Sequence, residues 1–210
     1  ESEIENSGNI LLQNTKSDSA SVGILADNSE ATNTSTGTIT VKGGASAGLL
    51  GQNGATLSNA GTVTMEGDKS AGIYAENSTS SNAGTINVEG NKSAGIFAKI
   101  TDNVTRNIIN TGTIELKPGS ATPSSSESAG MYAEIGSGAA GITTLDNQNK
   151  ITVGQEKSAG MFVKNAQGNA NTKGKAVNNA TTGIIDLNVA STVGIFTDNA
   201  IGQNDNVINV

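Results

Sequence analysis

The sequence predicts an all-β chain folded as a right-handed parallel β-helix, a solenoid of about seven coils. Three observations lead there. Two short motifs alternate along nearly all of the 210 residues. Each motif carries the period-two apolar pattern of a half-buried strand. Between strands recurs a column occupied only by Gly and Asn, the mark of a repeated turn.

The first motif reads Asn-x-Gly-Thr-Ile-x-Val and is clearest at Asn59–Val63, Asn82–Ile86 and Asn110–Ile114. Its central aliphatics are Ile10, Ile39, Val63, Ile86, Ile114, Ile151, Ile185 and Ile208. Pairs such as Val63/Met65 and Ile86/Val88 flank a polar residue, here Thr64 and Asn87, so one face is expected inside and one outside. The second motif reads Ser-Ala-Gly-Ile-Tyr/Phe-Ala, as in Ser70–Ala75 and Ser93–Ala98. Its glycines are Gly23, Gly48, Gly72, Gly95, Gly130, Gly160 and Gly194. Ala71, Ile73 and Ala75 share one parity, as do Ala94, Ile96 and Ala98, and this parity is expected to face a narrow interior.

The offset from central aliphatic to glycine is 9 residues in five coils, 13 in the first and 16 in the fifth. Insertions at a fixed place in a fixed repeat are loops on a solenoid. The whole chain, residues 1–210, is therefore expected to be one β-helical unit, with loops near 101–107, 117–127, 136–141 and 166–175.

The turn column holds Gly8, Gly37, Gly61, Gly84, Gly112, Asn149, Gly183 and Asn206, the residue types that tolerate positive φ. Two residues earlier stand Asn6, Ser35, Asn59, Asn82, Asn110, Asn147, Thr181 and Asn204. Short polar side chains there can bond the turn backbone, and in stacked coils the amides can bond one another. Asn59, Gly61, Asn82, Gly84, Asn110 and Gly112 thus form an expected structural turn ladder.

Composition narrows the function. Aromatics are 2% of the chain, and Cys, Trp and His are absent. The net charge is −7 with a single Arg, Arg106. Duplex nucleic acid and anionic membranes, which need a concentrated basic patch, are poor partners for such a surface. No stretch approaches a membrane span and no signal peptide opens the chain, so it reads as a fragment.

Every aromatic falls in one column, two residues after the motif glycine: Tyr74, Phe97, Tyr132, Phe162 and Phe196. Leu25 and Leu50 fill that column in the first two coils. Parity places it outward. It is either a stripe on which sugars or a protein partner could stack, or a ladder that stabilises the shaft. Two residues further on, Glu76, Lys99, Glu134, Lys164 and Asp198 alternate in sign, which would set attractive pairs on neighbouring coils. Lys69, Lys92 and Lys157 precede the motif Ser and read as a solvated edge where the chain turns.

Catalytic and metal chemistry finds little support. A polysaccharide-cleaving β-helix needs clustered carboxylates or a base beside Arg or Lys. Here Glu115 and Asp186 are separated by Thr152, and the Gly-Gly-x-Gly-x-Asp calcium repeat is absent. Neither a catalytic residue nor a metal ligand nor a cofactor is expected. Thr38/Thr40 and Thr62/Thr64 form short ice-binding-like pairs that break at Asn87, Glu115, Lys150 and Asp186.

The alternation of the two motifs, clearest from Asn59 to Ala98, resembles the passenger region of large fusobacterial type V autotransporter adhesins, the RadD-like outer-membrane proteins. The resemblance covers nearly the whole chain and is weakest at Leu11–Ala20 and Thr101–Asn107. It implies export through an outer-membrane barrel outside this fragment, display on the cell surface, and attachment to a glycan or protein receptor on host cells or other bacteria. The shaft would be monomeric and make no membrane contact of its own. That family has no portable binding motif, so no functional residue is carried over. A purely structural stalk is the alternative reading, with a polysaccharide-active enzyme behind it.

Overall fold

The computed structural model describes residues 2–13, 20–118, 126–166 and 173–210, and the chain is a parallel β-helix. Three strands make each winding, as in Thr79–Asn82, Thr85–Val88 and Ala94–Ile100. Equivalent strands of successive windings pair in parallel. They give a first sheet of eight strands running from Glu3–Asn6 to Ile201–Asn204 and a second of eight from Asn9–Leu12 to Val207–Asn209. A third sheet of seven runs from Val22–Asp27 to Val193–Asp198. Seven full windings and two strands of an eighth result, matching the coil count read from the repeat.

The second and third sheets are the two motifs. Ile39, Val63, Ile86, Ile114, Ile151 and Ile185 lie in register, one above the other, and all are buried. The first sheet is new. Its strands are four or five residues long, and some, such as Thr56–Asn59 and Thr79–Asn82, are rich in Ser and Thr. At most one residue per interior strand, such as Leu57, Ile108 or Leu145, supplies an apolar inward side chain, and in Thr79–Asn82 that slot holds Ser80, so these segments carry no apolar alternation to reveal them as strands. They pair because the adjoining strands already bring them to the spacing of a ladder, roughly 4.8 Å.

Each first-sheet strand ends in an inward asparagine. Asn6, Asn33, Asn59, Asn82, Asn110, Asn147, Asn178 and Asn204 form one continuous ladder, each Nδ2 donating to the next Oδ1 at 2.7–2.8 Å. The six interior members are fully buried. Burying an amide costs free energy only while it lacks partners; here Asn59 and Asn82 also donate to Gly61 O and Gly84 O. Asn33 and Asn178 hold the slots that counting back from the aliphatic had assigned to Ser35 and Thr181. Those two windings carry a longer turn, so the fixed offset pointed past the true position.

The glycine column needs a different explanation from the one its residue types suggested. None of Gly8, Gly37, Gly61, Gly84 or Gly112 has positive φ. The requirement is space. A Cβ on Gly84 would lie 2.1 Å from Gly61 O, and one on Gly112 2.1 Å from Gly84 O. Left-handed backbone falls elsewhere, at the corner before the third sheet: Ala45, Lys69, Lys92, Glu127, Lys157 and Ser191, with φ between 41° and 59°. A second set, Asn28, Asn53, Asn77 and Asn199, follows third-sheet strands. The edge where Lys69, Lys92 and Lys157 turn is therefore the strained one.

Two outcomes test these assignments. Lys69 has φ 56° and no ion pair among the described residues, so Lys69→Gly relieves strain. It should raise stability by about 1 kcal/mol in chemical denaturation, whereas Gly84→Ala should lower it by about 3 kcal/mol or more. On the second sheet, Lys150 donates to Asp186 at 2.8 Å and Asn209 adds a second bond, and these hold the Asp186 carboxyl below its usual range against the opposing effect of burial. A depressed folded value stabilises above the unfolded pKa of about 3.9 and is lost as pH falls through the folded one. Asp186→Asn should thus melt lower than the parent at neutral pH, with the gap closing on acidification; a gap independent of pH would refute the pairing.

Candidate functional site

The outward face of the third sheet carries the aromatic column. In Ala71–Glu76, Ile73 and Ala75 point into the core while Tyr74 and Glu76 point out. Register stacks Leu50, Tyr74, Phe97, Tyr132, Phe162 and Phe196 directly over one another. Tyr74–Phe97, Phe97–Tyr132 and Tyr132–Phe162 lie with centroids 4.8–4.9 Å apart and planes within 11°. Phe162–Phe196 is edge-on at 79°. The winding height imposes this spacing, which falls in the range aromatic pairs favour. It also means that each interior ring covers its neighbours' faces. What Phe97, Tyr132 and most of Tyr74 offer to solvent is an edge. The phenols of Tyr74 and Tyr132 are half-buried, and burial followed by the nearby carboxylates Glu76 and Glu134 raises them above the ordinary tyrosine value. They stay neutral, as donors.

Beside the ladder runs a groove, and its floor corrects an expectation. Ala71 and Ala94 do not belong to the core cluster, whereas Ala75 and Ala98 do. The third-sheet ladder skips the motif glycines. A Cβ on Gly72 would sit 2.7 Å from Ile86 Cγ2, inside the core. The strand therefore bends at the glycine, and parity restarts. Ala71 and Ala94, one residue earlier, face outward and floor a groove of about 380 Å³ between the aromatic wall and the strained Lys corner. A second stretch of about 390 Å³ shares Glu127, Ser128 and Phe162 and continues to Val193 and Phe196.

A serine ladder, not foreseen as such, supports that floor. Ser70 N donates to Ser93 Oγ at 3.0 Å, and Ser70 Oγ donates to Asp68 O and Gly43 O. The amide-to-hydroxyl step repeats from Ser21 to Ser158. The signal was the recurring Ser of the second motif, whose role needs the neighbouring winding to become visible.

The charged column is in register, Glu76 to Lys99 to Glu134 to Lys164 to Asp198. Among the described residues only Glu76–Lys99 closes, at 3.2 Å, and that hydrogen bond holds the Lys99 ammonium above its usual value. On the second sheet Thr38/Thr40 lie over Thr62/Thr64, and the next windings bring Asn87 and Glu115.

Two of the four expected loops are described and share a corner between the third and first sheets. Arg106 is buried and grips Asp102 through two bonds of 2.6 and 2.7 Å, and its two Nη groups donate also to Asn77 O and Val104 O. Asn103 Oδ1 and Thr105 Oγ1 accept from Ala140 N and Ile142 N, so loop 101–107 seats loop 136–141 of the next winding. Most of loop 117–127 and of loop 166–175 lies outside the described residues.

The exposed Glu76–Lys99 pair contributes about 0.2–1 kcal/mol by its class. Lys99→Glu would remove that pair and set a third carboxylate between Glu76 and Glu134 on successive windings. The loss of stability should be larger at low salt than at high salt in paired melts; equal losses would reject the electrostatic reading.

No curated protein and no solved structure matches the chain significantly. One family does, that of the BigA third pectate lyase-like domain, over residues 1–174. It points to an autotransporter-like passenger region of a bacterial surface protein. Three stacked parallel sheets and a match over most of the 210 residues lead to one conclusion: the chain belongs to the family of the BigA third pectate lyase-like domain.

Proposed function

We propose that the chain is a length of the shaft of a bacterial adhesin, of the RadD-like autotransporter type, anchored in the outer membrane by a barrel elsewhere in its polypeptide and serving attachment to a glycan or protein receptor on host cells or other bacteria. The observation that carries this reading is the unbroken register of all three sheets. Every winding adds a fixed rise of roughly 4.8 Å and buries its own polar turn groups in ladders, so length grows without a new core. Such a rod holds corner loops and a side face at a set distance from an anchor. Loops on a rigid scaffold are where contacts usually form.

The shaft is proposed to be non-catalytic, whatever the enzymatic name of its family. Its outward carboxylates on the second sheet are neutralised in pairs, Glu115 by Lys117 at 3.5 Å and Asp186 by Lys150, rather than gathered about a substrate. One observation favours a purely structural stalk. The interior rings turn their faces to one another, leaving a ligand only edges.

Tyr132→Ser with Phe162→Ser separates the two readings. Beads coated with the parent chain should adhere to epithelial or bacterial cells. Adhesion lost in the double variant at an unchanged melting temperature makes the stripe a contact. Adhesion kept at a lowered melting temperature makes it a stabilising ladder. A parent chain that binds no cell and no member of a glycan panel would overturn adhesion by this segment.

A further inference from the structure

The groove on the third sheet has a chemistry that points away from sugars. Its floor residues Ala47, Ala71, Ala94 and Ala129 are only 4–6% exposed, so the trench is narrow. An α-helix about 10 Å across would rest on the rims; a slender chain would reach the floor. The polar groups along the floor are already engaged. Ser70, Ser93 and Ser128 each accept from a backbone N of the neighbouring winding and donate to carbonyls. From Tyr74 to Phe162 the aromatic wall offers C–H edges, not faces; Phe196, edge-on to Phe162, lies outside that stack. A sugar hydroxyl laid on that floor would lose water there without gaining a partner, and the wall adds only the phenol hydroxyls of Tyr74 and Tyr132. A chain of methylenes would lose nothing. On the opposite rim stand Lys69 and Lys157, whose ammonium groups have no ion pair within 4 Å among the described residues, while Lys92 is held by Glu127 at 3.5 Å. Six winding steps give the trench a length of roughly 29 Å, more than an extended palmitoyl chain requires.

We propose that this groove binds the acyl chain of an anionic lipid. The chain lies along the shaft axis on the alanine floor, against the ring edges, with the acidic headgroup at Lys69 or Lys157. The inference goes beyond adhesion and stands whether or not the shaft itself attaches to cells.

The test is displacement of a fluorescent fatty acid from the 210-residue chain by palmitate, kept below the concentration at which it forms micelles. A short oligogalacturonate and hexadecanol are run in parallel. Palmitate and hexadecanol should displace the probe saturably and the oligosaccharide should not. Ala94→Leu fills the trench and should weaken palmitate by about tenfold or more, at a melting temperature near the parent's. Ala71→Leu, one winding away, repeats the measurement should Ala94→Leu fold poorly. Lys69→Gln with Lys157→Gln should weaken palmitate several-fold and leave hexadecanol unchanged. The proposal falls if palmitate does not displace the probe saturably, if folded leucine variants bind as the parent does, if the oligosaccharide displaces instead, or if the lysine pair treats acid and alcohol alike. Adhesion of the same variants, measured separately, keeps failure of this proposal apart from failure of the adhesin reading.

Discussion

Parallel pairing between successive windings is the interaction on which the rest of this molecule depends. A winding closed by three short strands has no interior of its own. It becomes stable only when its neighbours above and below supply the hydrogen bonds and cover the inward stripe. That condition forces equivalent residues to within about 5 Å of each other for the length of the chain. A column must then be self-compatible: whatever occupies a slot must tolerate its own copy directly overhead.

The columns show what self-compatibility selects. Isoleucine and valine pack on themselves at Ile39 to Ile185. Asparagine suits a buried corner because an amide is both donor and acceptor, so a line of them is satisfied end to end. Serine does the same with backbone partners. Glycine holds the slots where one winding's backbone touches the next, as at Gly84 and Gly72. Charges alternate in sign where they would otherwise repel, and Glu76–Lys99 is the step that closes.

The same constraint decides what the surface offers. Rings stacked at 4.8–4.9 Å use their faces on each other and leave an edge-lined wall. The bend at each motif glycine turns an alanine outward and creates a trench that runs with the shaft rather than across it. Arg106 and Asp102 fix one corner so that loop 101–107 supports loop 136–141. A rod of this kind presents its surface as lines and corners.

The sequence by itself determined the winding number, two of the three sheets, the inward aliphatic columns and the line of aromatics, because those signals recur at constant offsets and a stacked fold repeats them in space. It could not reveal the first sheet, since Thr79–Asn82 and its equivalents hold too few apolar residues to stand out from turns and become strands only beside their copies. Tertiary structure alone decided that Asn33 and Asn178, not Ser35 and Thr181, continue the amide ladder, because turn length varies while the ladder position does not. It alone decided that Gly61 and Gly84 answer to a close carbonyl and not to positive φ, and that Ala71 and Ala94 look outward. Period-two counting assumes a straight strand, and a bend of one residue, invisible in the string, exchanges inside for outside.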